Sequence, residues 1–143
     1  MVERGPQETS VLPRQSDFEW LRQDTIRLSD LDFQKHVNNA VITTLLADAR
    51  FEFMHSNVRK VLAPEAKVFV VRLEVDFTAE LHFGAPVWIG SRVVGVGRTS
   101  MRVEQAIFQQ ERCAAHALSV FVHIGEEGKP APWPEAVRQF VKS

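Results

Sequence analysis

Val41, Leu45, Ala49 and Phe53 recur every four positions, and Ile42 and Leu46 widen the stripe. This spacing lays one apolar face along a helix. It predicts a helix over 39–57, about 28 Å long and able to cross a whole sheet. Asn38 or Asn39 is the expected N-cap. Asn57 is the expected left-handed end, and Arg59 and Lys60 suit the negative end of the helix dipole. Beyond the helix the period drops to two. Between Val68 and Phe77, positions 72, 74 and 76 are charged while 71, 73, 75 and 77 are apolar, which predicts a strand with one wet face.

Trp20 to Leu28 reads as a strand on weaker alternation. Gly84 to Pro86 is a turn. Val87 to Gly97 is a strand in which Gly95 and Gly97 mark a bulge or a close backbone approach. After a bend at Arg98 to Ser100, Met101 to Gln110 and Ala114 to Ile124 form two more strands joined near Glu111 and Arg112. The second strand sets Leu118, Val120, Val122 and Ile124 on one face. Gly125 to Gly128 ends it, Pro130, Pro132 and Pro134 make the exit irregular, and Glu135 to Val141 is a short terminal helix. Residues 1–16, polar and broken by Gly5, Pro6 and Pro13, read as a flexible N-terminal tail. That leaves 17–143 as a single domain.

The order is strand, long helix, then four strands. A long helix with one apolar face needs a broad apolar surface, and an antiparallel sheet of about five strands curled around it supplies one. The class is therefore α+β. The exposed sheet edge needs a partner or protection, which argues for an oligomer.

Composition narrows the function classes. A formal net charge of -1 gives no general affinity for nucleic acid or anionic membrane. No apolar run approaches the roughly 20 residues of a membrane span. The N-terminus has no apolar stretch of the secretory kind. The single cysteine, Cys113, cannot form an internal disulfide and is compatible with a reducing compartment. The expected location is cytoplasmic.

The chemistry concentrates between Ser29 and Asn39, at the entry to the helix. Free N–H groups and the positive dipole end are available there to polarise a carbonyl or hold an anion. Asp30 and Asp32 face the same way in extended chain. Taken alone, either serves as a turn or cap residue. With His36 and the amides of Gln34, Asn38 and Asn39 nearby, a carboxylate at this point can act as general base or nucleophile. His36 reads equally as an acid–base group and as a loop anchor. Asn38 and Asn39 read as a capping pair.

Elsewhere the ordinary readings prevail. Asp48 and Glu52, four apart, form a solvated or salt-bridged face. His55, His82, His116 and His123 are scattered, and Cys113 with His116 is a pair without a second half, so no metal site is expected. Gly95 to Ser100 could hold a phosphate through backbone N–H groups and Arg98, though an ordinary strand end explains it as well.

Asp30-Leu31-Asp32 followed by His36-Val37-Asn38-Asn39 resembles the hotdog-fold thioesterases, in particular the 4-hydroxybenzoyl-CoA thioesterase-like group. Asp32, Gln34 and His36 also resemble the alternating Asp, Asn and His of acyl-carrier-protein thioesterases. The resemblance runs from Trp20 to Ile124 and includes the Leu81 to Gly84 turn and the Gly97 to Ser100 segment. Three positions depart from the group. Lys35 replaces the usual glycine, Ile42 a frequent tyrosine, and Gln34 the asparagine of the acyl-carrier-protein thioesterases, all around the pocket and so bearing on substrate choice.

The resemblance implies a hotdog fold, with one long central helix wrapped by the sheet. Two subunits would join their sheets into a homodimer, often paired again into a homotetramer, with sites at the dimer interface. The implied reaction is hydrolysis of an acyl-CoA or acyl-carrier-protein thioester to a free acid and a thiol, with no metal and no cofactor. Asp32 would be nucleophile or base, the N–H of Asn39 would polarise the thioester oxygen, and His36 would orient or assist. Gln34, Asn38, Arg98, Thr99 and Ser100 would contact substrate. A non-catalytic acyl-CoA or acyl-carrier-protein binding module is the alternative. A hotdog dehydratase is a weaker one, because its histidine and acid come from a different layout.

Overall fold

Asn39–Ser56 form the long helix, α1, in a computed structural model that describes residues 11–141. Asn38 is its N-cap: the backbone there is extended, and the side-chain oxygen accepts the N–H of Ala40 at 2.8 Å. Ile42, Leu45, Leu46, Ala49 and Phe53 are buried along one face, as the four-residue spacing requires. The C-terminal end differs from expectation. Asn57 has φ -123° and ψ -75°, so it is not left-handed. Its backbone N–H and side-chain amide both donate to the carbonyl of Phe53, at 3.1 and 2.8 Å. That carbonyl is satisfied without a left-handed residue. The chain runs on into a 3-10 turn, Val58–Val61.

Five strands follow the order β1-β3-β4-β5-β2, every neighbouring pair antiparallel: β1 Trp20–Asp24, β2 Lys67–Phe77, β3 Val87–Val96, β4 Ser100–Gln109 and β5 Arg112–Ile124. β1 is shorter than its pattern suggested. The chain leaves the sheet after Asp24, buries Ile26, and makes a 3-10 turn at Leu28–Asp30. The bulge expected from the glycines lies between Val93 and Gly95. Gln110 and Glu111, with φ 51° and 68°, make the tight turn between β4 and β5. The terminal segment Glu135–Phe140 is 3-10 rather than α. Of the tail expected over 1–16, residues 1–10 lie outside the described residues, and Gln15–Asp17 form a 3-10 turn. Among the described residues, no helix is long and apolar enough to cross a membrane.

α1 lies across the sheet face carrying Met101, Val103, Gln105 and Ile107 of β4 and Ala115, Ala117, Ser119 and Phe121 of β5, all buried. The period of β5 was legible, but its inward phase was not. Leu118, Val120, Val122 and Ile124 form the opposite, half-exposed face. The inward positions of β5 are mostly small residues, while the helix comes nearest to β3 and β4. β2 differs in a related way. Val75 and Phe77 pair with Ala117 and Ala115 on the helix side, but β2 is the outermost strand and Leu73 and Phe77 stay 41% and 45% exposed. An irregularity between Val70 and Arg72 also breaks its alternation.

On the outer face, Glu104 sits between Arg92 Nε and His116 Nε2, each 2.7 Å from its carboxylate, with Glu74 and Asp76 lining the same hollow. The hydrogen bond from His116, aided by Arg92, holds the Glu104 carboxyl below its ordinary value against the opposing push of burial. A depressed carboxyl contributes stability above its unfolded value, near 4.5, and that contribution is lost as pH falls through the folded value. Glu104→Gln should therefore lower stability by about 1–3 kcal/mol at pH 7. Urea unfolding at pH 7 and at acid pH should show the gap between variant and parent narrowing as pH falls.

Candidate functional site

The segment from Leu28 to Asn38 folds into a tight loop against the start of α1. Asp32 and His36 close it: the N–H of Asp32 donates to the His36 carbonyl at 2.8 Å, and that of Lys35 to the Asp32 carbonyl at 2.9 Å. One carboxylate oxygen of Asp32 accepts the N–H groups of Gln34 and His36, at 2.9 and 3.0 Å. The other oxygen has no hydrogen bond among the described residues. Lys35 sits at φ 64°, a left-handed position that suits glycine and strains a lysine by about 1 kcal/mol. The departure noted in the sequence therefore falls where the backbone prefers no side chain.

Asp32, His36, Asn38 and Asn39 line one wall of a groove of about 530 Å³, and Phe77 to Leu81 form the other wall. The N–H groups of Thr78 and Ala79 both donate to the Ala114 carbonyl, at 2.9 and 3.2 Å, which folds this second wall back over the helix entry. Glu80 projects from it to lie 3.2 Å from His36 Nδ1. The N–H of Asn39, first of the helix, takes no partner among the described residues. A carbonyl placed in this groove has a carboxylate within reach on one side and a helix N-terminal N–H on the other. Such a pairing can polarise and attack an acyl group.

The other residues singled out by the sequence divide around this groove. Asp30 accepts the N–H of Arg27 at 2.8 Å and lines a separate cavity with Asp24 and Asp48. It shapes the loop entry and does not join Asp32. Gln34 lies exposed on the turn, outside the groove lining. Glu52 is ion-paired with Arg22 at 2.8 Å, in keeping with a salt-bridged face.

Arg98, Thr99 and Ser100 are not brought to Asp32 within the chain. They lie at the other end of the sheet, where Ser100 pairs with Val122, whereas Phe77 beside the groove pairs with Ala115. The two ends are roughly 23 Å apart along β5. The bend is not an open phosphate cradle either, because the N–H of Gly97 donates to the Ser100 carbonyl at 2.8 Å. Among the described residues, no group of three or more His, Cys, Asp or Glu side chains is placed to hold a metal ion.

Glu80 and the wall around it were not read from the sequence. Glu80 belongs to no local pattern and reaches His36 only through the end of β2. Gln105 is a second such residue: it is fully buried, and its amide donates to the Leu46 carbonyl and to Ser91 Oγ, both at 3.0 Å. β4 carries Glu104, Gln105 and Gln109 among its polar positions, and nothing local marks Gln105 as the one beneath the helix.

Residues 26–141 match the thioesterase-like superfamily. Among solved structures, the chain is similar to a thioesterase from Thermus thermophilus, complexed with coenzyme A and zinc. Identity is 32%, the TM-score is 0.73, and the match covers 88% of this chain and 99% of that one. A thioesterase-superfamily protein from a Jannaschia species shares the fold at 23% identity and TM-score 0.75, over 85% and 80% of the two chains. So does a 1,4-dihydroxy-2-naphthoyl-CoA thioesterase from Synechocystis, at 19% identity and TM-score 0.69, over 85% and 93%. No curated protein matches the chain in sequence.

Proposed function

The chain belongs to the thioesterase-like superfamily, with its hotdog arrangement of one helix on a five-stranded sheet, and we propose that it hydrolyses an acyl-CoA thioester to a free acid and a thiol. One observation carries this reading: an oxygen of Asp32 and the N–H of Asn39, both without a partner among the described residues, border the same groove. Asp32 acts as nucleophile, or as base for the attacking water. The carbonyl oxygen gains negative charge as the new C–O bond forms, and the helix N-terminal N–H stabilises it. Collapse then breaks the C–S bond. Where Asp32 acts as base, the proton it took from water passes to the thiolate. Where it acts as nucleophile, a water hydrolyses the resulting Asp32 acyl anhydride to the free acid and supplies the thiolate's proton. His36, paired with Glu80, orients beside the reacting centre. Coenzyme A as the thiol carrier is supported by the coenzyme A complex of the Thermus thermophilus thioesterase.

The working form is a homo-oligomer built on β2. This outermost strand carries Phe69, Val70, Val71, Leu73 and Phe77 at 41–60% exposure. An unpaired apolar edge of this length is a pairing surface. A two-fold axis would set two β2 strands antiparallel. The Phe77 end of one then lies beside the Lys67 end of the other. The Asp32 groove of each protomer faces the Arg98 end of its neighbour, so Arg98 remains a candidate for the nucleotide phosphates across the interface.

A panel of acyl-CoA substrates assayed for thiol release tests the reaction. Release from at least one ester is expected, whereas tight binding with no release from any would favour the binding-module alternative. Arg98→Ala should raise KM for a CoA ester far more than for the matching pantetheine ester, which lacks the nucleotide. Equal effects on both would remove Arg98 from the phosphate site.

A further inference from the structure

Between the second half of α1 and the β2 edge lies a cavity of about 390 Å³, lined by Ala47, Phe51, Met54, Val70 and Phe121 among others. Its walls are largely apolar, and Arg50, His55 and Arg59 also line it. The Arg50 guanidinium is partly buried, and its one hydrogen bond among the described residues runs to Gln105 Oε1 at 3.3 Å. Among those residues no carboxylate pairs with it, and burial pulls its pKa below the ordinary arginine value. Gln105 is held rigidly beneath the helix by the Leu46 carbonyl and Ser91, so its oxygen aims Arg50 at the cavity.

The neighbouring basic groups are occupied otherwise. Arg59 grips the carbonyls of Ala63, Pro64 and Ala66 at 2.6–3.0 Å, and His55 stacks on Phe51. A guanidinium has five donors, and among the described residues Arg50 commits only one of them, to Gln105, so the group is free to take a further acceptor at the cavity. A half-desolvated cation in that position is complementary to an anion arriving at the end of an apolar chain.

We propose that this cavity takes the acyl chain and that Arg50 recognises a carboxylate at its far end, making ω-carboxyacyl thioesters the preferred substrate class. The inference rests on the thioesterase reading and on antiparallel β2 pairing, which brings the cavity of one protomer alongside the Asp32 groove of the other. Of the three basic lining residues, Arg59 is held by backbone carbonyls and His55 stacks on Phe51, which leaves Arg50 for a single anionic group at the end of a largely apolar space rather than for the several phosphates of a nucleotide. A carboxylate on the acyl chain is therefore the source assigned to the anion.

The test compares adipoyl-CoA with hexanoyl-CoA, equal in chain length and different in the terminal group, in the parent protein and in Arg50→Met, which keeps the apolar stem. The parent should favour adipoyl-CoA in kcat/KM, and the adipoyl-to-hexanoyl ratio should fall about 30-fold in the variant, the scale of one charge-assisted pair. Arg50→Lys should retain part of the preference, and it takes the place of the methionine variant if that one fails to fold. The same shift in ratio is expected with the two pantetheine esters.

An unchanged ratio overturns the proposal. If Arg50→Met weakens both CoA esters alike and neither pantetheine ester, Arg50 reads a CoA phosphate instead. If the ratio holds but the assembly dissociates, Arg50 pairs with a second copy. Calorimetry with free adipate and hexanoate separates this inference from the reaction itself. Adipate binding tighter than hexanoate in the parent, and not in the variant, supports the anion site even if no thioester is cleaved. Equal binding of the two acids overturns it.

Discussion

Asp32→Asn should lower kcat by at least about 100-fold, the low end of what a positioned acid–base group contributes, while fold and substrate affinity persist. The asymmetry of the Asp32 carboxylate makes this a clean test. One oxygen accepts the N–H groups of Gln34 and His36 and holds the loop. An asparagine oxygen can accept the same two bonds. The other oxygen, at the groove, becomes an amide nitrogen that can neither attack a carbonyl nor accept a proton from water. Loss of turnover with an unchanged thermal unfolding midpoint would separate chemistry from loop integrity. Asp30→Asn should have a much smaller effect, because Asp30 bonds to Arg27 N–H and lines a different cavity. Near-normal turnover in Asp32→Asn would reduce Asp32 to a loop residue and shift attention to the His36 and Glu80 pair.

Replacing Phe69 and Val71 together by lysine should convert the assembly to a species of single-chain mass and abolish most of the activity. Both side chains are more than half exposed in the protomer, at 51% and 60%, so the chain loses little of its own core. Exposed substitutions of this kind usually shift stability by no more than about 0.5 kcal/mol. Two lysines at an apolar pairing edge, each facing its counterpart near the two-fold axis, oppose association by charge and by desolvation. Sedimentation and thiol release measured on the same preparation check both halves. A parent protein that is already a monomer at micromolar concentration and fully active would refute the composite site. A variant that is monomeric yet fully active would refute it as well.

Much of this molecule is legible in the order of its residues because the relevant interactions are local. The four-residue stripe from Val41 to Phe53 yields α1 and its buried face directly, since helical neighbours lie within one turn of each other. The glycines before Arg98 announce the bulge in β3. The Asp32 to Asn39 segment could be singled out because Asp32, His36, Asn38 and Asn39 are close along the chain and line one groove. Asn38 caps the helix by a contact spanning two residues.

The features that required the tertiary structure all depend on distant partners. Alternation along β5 has two possible phases. The one realised is set by register against β4 and by the helix lying on Ala115, Ala117 and Ser119, not by the greater hydrophobicity of Leu118, Val120 and Val122. β2 reads as a half-buried strand, but its position at the end of the sheet order leaves its apolar residues exposed. Glu80 meets His36, Gln105 meets Arg50, and Arg98 stands away from Asp32 through strand pairing, which brings together residues tens of positions apart. A period of two or of 3.6 specifies which residues share a face. Which face is inward, and what lies across it, follows from the burial and backbone pairing of the whole sheet.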